Sequence, residues 1–139
     1  MNYITKFSLL FFISMFIPLT SWSNDDCTDT LEALTTSVAL EHHIRDFDEF
    51  LTPLENTEDI RNQIPAALSS LDDLQQIIRG VAPCNLVKYK FRKFRANYLL
   101  LYKAVHDATY LHDNPQFQFI WNATHHAFET LTVRIGSLE

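Results

Sequence analysis

A chain of 139 residues with 11 basic and 17 acidic side chains, a net charge of −6 and 47% hydrophobic residues has the size and composition of one globular domain. The acidic balance argues against a general nucleic-acid role and against broad adsorption to anionic membranes, because both need positive charge. Two glycines are too few for the tight turns of a β-sandwich or small barrel, so helices are expected.

Residues 1–23 read as a cleavable signal peptide. Lys6 precedes an apolar run from Phe7 to Leu19 that falls short of the about 20 residues of a membrane span. Small residues at Ser21 and Ser23 suit cleavage after Ser23. A single domain, 24–139, is then left with ten basic and seventeen acidic residues, a charge of −7. It has no second apolar run long enough for a stable transmembrane span. Export implies an oxidising compartment, with the periplasm favoured over the extracellular space. There Cys27 and Cys84 are expected to form a disulfide. Neither C-x-x-C nor C-x-x-C-H occurs, which argues against a vicinal redox pair and c-type haem attachment.

The first helical segment carries two stripes. Leu31, Leu34 and Val38 define one face, and Leu40, Ile44, Phe47, Leu51 and Leu54 a nearly opposite one. A straight helix cannot bury both against one partner, so the segment is expected to bend or split, or to offer one stripe to another protein. In the second segment, Ile64, Ala67, Leu68, Leu71, Leu74 and Ile78 recur at three and four. Pro65 is harmless there if Asn62 caps the helix and the turn around Thr57–Ile60 is separate. Gly80 and Pro83 close the segment.

The third segment reads as one helix from about Asn85 to Asp113, with Val87, Phe91, Phe94, Tyr98, Leu101, Val105, Ala108 and His112 inward. The fourth starts at Asn114-Pro115, a cap followed by proline at the first helical position. Phe117, Ile120, Trp121, Thr124, Ala127, Phe128, Leu131 and Ile135 form its inner face. Short links favour an antiparallel up-down-up-down arrangement. The first and third helices then start at one end, where Cys27 and Cys84 lie. The fold class is all-α, a disulfide-linked antiparallel four-helix bundle.

Three features bear on function. Lys88, Lys90, Arg92, Lys93 and Arg95 place five positive charges in eight residues of an acidic chain. They form a docking patch for an acidic partner, or a surface compensated internally by acids such as Asp72 and Asp73. Tyr89, Tyr98, Tyr102, Tyr110, Phe119 and Trp121 include residues outside the strict inner stripes, which adds some interface character. Asn122-Ala123-Thr124 matches a glycosylation sequon.

The second feature is six histidines. His42 or His43, His106 and His125 come to similar heights in such a bundle, and neutral imidazoles ligate zinc, copper, nickel or haem iron. Their helical phases place most of them at the boundary of the core, and E-x-x-H and H-E-x-x-H are absent. A transition-metal or haem bundle is therefore the alternative reading, and no cofactor is expected on the main one. The third feature is negative. Ser69 and Ser70 lie outside any nucleophile elbow, and His125 and Glu129 stand one turn apart without a visible nucleophile. The expectation is a non-catalytic exported binding domain, an adaptor, inhibitor or immunity-type protector. Its partner is another exported or envelope protein with an acidic surface. A structural subunit of an exported assembly is a third reading.

Overall fold

The computed structural model describes residues 27–139. The expected signal peptide lies outside them. The described residues form α1 (Thr30–Leu51), a single turn α2 (Glu58–Arg61), α3 (Ile64–Arg79), α4 (Cys84–Asp107), a 3-10 turn (Thr109–Leu111) and α5 (Pro115–Gly136). No helix among them is long and apolar enough to cross a membrane.

Each long helix buries one stripe with alternating steps of three and four. In α1 it is Ala33, Ser37, Leu40, Ile44, Phe47 and Leu51. In α3 it is Ile64, Ala67, Leu71, Leu74 and Ile78. In α4 it is Val87, Phe91, Phe94, Tyr98, Leu101 and Val105. In α5 it is Phe117, Trp121, Thr124, Phe128, Leu131 and Ile135, with Ala127 beside it. A repeat of 3.5 residues is that of a coiled-coil seam, so the four stripes can stay in contact along the whole bundle. Burying each large aliphatic or aromatic side chain contributes about 1.5–3 kcal/mol.

Four seams close the core: α1 with α5, α3 with α4, α1 with α3, and α4 with α5. Neighbours run antiparallel. Glu32 pairs with Arg134 at 3.0 Å, and Phe47 meets Phe117 at 5.7 Å between ring centroids, so positions rise along α1 as they fall along α5. The diagonal helices α1 and α4 run parallel, and Cys27–Cys84 joins their starts. Cys27 N also donates to Ala82 O at 2.9 Å. A disulfide across a sequence separation of 57 removes loop entropy from the unfolded chain. The entropy model places its contribution at about 4 kcal/mol.

The first segment is divided. α1 runs to Leu51, and after a loop with Asn56 at φ 61° the single turn α2 follows. Thr57 is buried and its Oγ1 lies 3.1 Å from both Leu51 O and Leu54 O, which ties the loop to the end of α1. The conflict between the two stripes resolves through small residues. Leu31 is 74% exposed, while Leu34 and Val38 are half-buried. Ala33 and Ser37 take the inner positions instead, and Ser37 Oγ satisfies itself on Leu34 O at 2.6 Å.

Pro65 sits in the first turn of α3, as expected, but the cap falls at Gln63 rather than Asn62. Asn114 caps α5 with its side chain, accepting from Gln116 N at 3.0 Å and Phe117 N at 3.1 Å. The third segment stops early. Ala108 leaves the helical region at ψ 62°, so the helix ends at Asp107 and not Asp113. Ala108 and Leu111 are buried, and the Tyr110 hydroxyl donates to Asn56 O in the α1–α2 loop. The break thus coincides with burial of Ala108 and Leu111 and with a contact between segments 54 positions apart.

Candidate functional site

The basic cluster occupies the first half of α4. The inward stripe leaves Arg92, Lys93 and Arg95 exposed and Lys88 and Lys90 half-buried on its flanks. No carboxylate of the described residues lies within ion-pair distance of any of the five. Lys93 Nζ stands 5.1 Å from the Tyr89 ring centroid, a cation–π contact on the outer surface. Lys90 and Lys93 line a shallow depression with Asp73, Ser69, Ser70 and Asn97. Asp72 is engaged elsewhere, accepting from Gln76 Nε2 at 2.9 Å. Direct pairing with Asp72 and Asp73 is therefore not how this charge is balanced.

Apolar side chains are exposed on both flanks of α4, Leu99 and Tyr102 toward α5 and Tyr89 and Leu100 on the opposite side. Tyr89, Leu99, Leu100 and Tyr102 are between 40% and 54% exposed. Leu99 continues the row of Lys88, Arg92 and Arg95 by one turn. Cations thus border apolar side chains along one helix.

The histidines separate into distinct environments. His42 is exposed and His43 half-buried on α1. His125 lies in the α4–α5 seam, its ring stacked 6.0 Å from Tyr98 and tilted 5.1 Å from Tyr102 between centroids. Its Nε2 is 3.0 Å from Glu129 Oε1 and its Nδ1 is 3.0 Å from the Tyr98 hydroxyl. A carboxylate can only accept, so Nε2 carries the proton. Burial holds the Tyr98 phenol well above the ordinary tyrosine range, with the Glu129 charge and Tyr102 acting in the same direction. Tyr98 therefore donates to Nδ1, and neutral His125 has no free lone pair for a metal.

Glu129, His125 and Tyr98 have the order of a proton relay, but Tyr98 is 0% exposed and stacked 3.9 Å from Phe128. The arrangement satisfies a buried hydroxyl. The sequence shows the His125–Glu129 spacing on α5, while Tyr98 reads as one more core position. Only the packing of α4 on α5 joins them.

His106 and His112 face each other across the end of α4, with ring centroids 6.5 Å apart. They line a depression of about 240 Å³ with Tyr102, Gln118, Trp121 and Asn122. The set His42, His43, His106 and His125 is not brought together. Among the described residues, no three His, Cys, Asp or Glu side chains converge to hold a metal ion. Asn122 of the sequon is exposed on α5. Comparison of the chain with protein-family models, curated proteins and solved structures finds no match.

Proposed function

We propose that this chain is an exported, non-catalytic binding domain that docks an acidic partner protein on the outer face of α4. The observation that carries this reading is the union of five cations without a carboxylate partner among the described residues with exposed Tyr89, Leu99, Leu100 and Tyr102 on one rigid helix. Apolar side chains would supply buried area, and the cations would steer and orient an acidic surface. The Cys27–Cys84 disulfide supports residence in an oxidising compartment, the periplasm or the extracellular space.

Site-specific photo-crosslinking from position 99, one turn beyond Arg95, in the native compartment tests the reading. The wild-type chain is expected to capture a protein with an acidic surface, less so as salt is raised. The triple variant Lys88→Glu, Arg92→Glu, Arg95→Glu is expected to lose that capture and keep its helicity. Undiminished capture by a folded triple variant would remove the patch from the interface.

A further inference from the structure

Among the described residues, His112 is the histidine with a ring nitrogen on a backbone carbonyl, and its ring lies beside that of His106. His112 Nε2 lies 3.2 Å from Val105 O. A carbonyl oxygen has no proton to give, so Nε2 must carry one, and in neutral His112 the lone pair sits on Nδ1. Metal-binding histidines are commonly prepared in this way, one ring nitrogen donating to a backbone carbonyl and the other left as ligand. The break at Ala108 makes this possible. It ends α4, and the 3-10 turn returns His112 to the last turn of the helix, where His106 is exposed.

We propose that His106 and His112 form a two-imidazole chelate for a divalent late transition-metal ion, with water completing its shell. Metal–nitrogen bonds of about 2.0–2.1 Å put two imidazole centroids about 5–6 Å apart across a shared ion. The observed separation is 6.5 Å. Rotation of the exposed His106 side chain closes the difference without moving the core. Imidazole suits Zn2+, Ni2+ and Cu2+, and Cu2+ binds tightest of the three. The site is independent of the basic patch and stands or falls separately from it.

Cu2+ alone, titrated into the disulfide-bonded protein and followed by electron paramagnetic resonance, is the direct test. One bound ion with two imidazole nitrogens is expected. The variant His106→Gln alters an exposed side chain, keeps the fold, and should lose one nitrogen and about tenfold or more in affinity. The double variant His42→Gln, His43→Gln should bind as wild type. Wild-type binding by His106→Gln, or loss in the double variant, overturns the assignment. A second measurement needs no variant. Nitrogen-15 correlation spectra of the neutral rings should show His112 in the Nε2–H form, and an Nδ1–H form there overturns the proposal.

Discussion

Helix α5 packs on its two neighbours by different means. On the α1 side the inner positions include the small residues Ala33 and Ser37, and α5 approaches α1 closely enough for Thr124 Oγ1 to reach His43 O at 3.4 Å. Against α4 the space is filled by rings, with Phe91, Phe94, Tyr98, Trp121, His125 and Phe128 linked by successive ring contacts. In the close seam each hydroxyl has a carbonyl partner on its own helix, and Thr124 also reaches across to His43 O. The aromatic seam handles Tyr98 only through the neighbouring helix. Rings also meet in the α1–α5 seam at Phe47, Phe117 and Trp121, so the small groups set close approach only in its other half.

The largest expected effect comes from freeing the diagonal pair that flanks both seams. Replacing Cys27 and Cys84 by serine should lower stability by about 4 kcal/mol in denaturant titration. A loss below 1 kcal/mol would mean that the seams alone hold the starts of α1 and α4 together. Enlarging the close seam comes next. Ser37→Leu should cost about 1–3 kcal/mol through overpacking. Stabilisation by that leucine would refute close approach at this position.

Tyr98→Phe probes the aromatic seam. It should cost about 1 kcal/mol at neutral pH through the lost hydrogen bond. Its pH signature is more informative. Burial raises the Tyr98 phenol above its unfolded value of about 10, so its contribution is intact below that pH and is lost as pH rises beyond it. Wild-type stability should fall more steeply above about pH 10 than that of Tyr98→Phe, measured by urea unfolding across alkaline pH. Parallel curves would place the hydroxyl in contact with water. The smallest effect belongs to Asn114→Ala, which should cost about 1 kcal/mol by removing the cap that starts α5 below both seams. A larger loss would show that this cap also positions the seams.

The helices of the second and fourth segments were legible because Leu71, Leu74, Trp121 and Phe128 repeat at helical spacing and Pro65 and Asn114-Pro115 mark the starts. The disulfide followed from two cysteines at the starts of helices that an antiparallel bundle brings to the same end. The basic cluster was equally plain as a run of charge, since local sequence alone fixes its density and the Phe91/Phe94 stripe fixes which way it turns.

Three things were settled only by tertiary contacts. Ala33 and Ser37 became the inner positions of α1 because a close helix neighbour selects small side chains, which a search for large apolar residues passes over. α4 ended at Asp107 where Ala108 and Leu111 turn into the core and Tyr110 meets a loop 54 positions earlier, and no local periodicity records those contacts. His125 was withdrawn from the ligand set and His112 brought beside His106 because hydrogen-bond partners on other turns and another helix assign their protons. Spacing along a chain fixes which residues share a face, whereas the distance between faces and the partners of buried polar atoms exist only once the helices have packed.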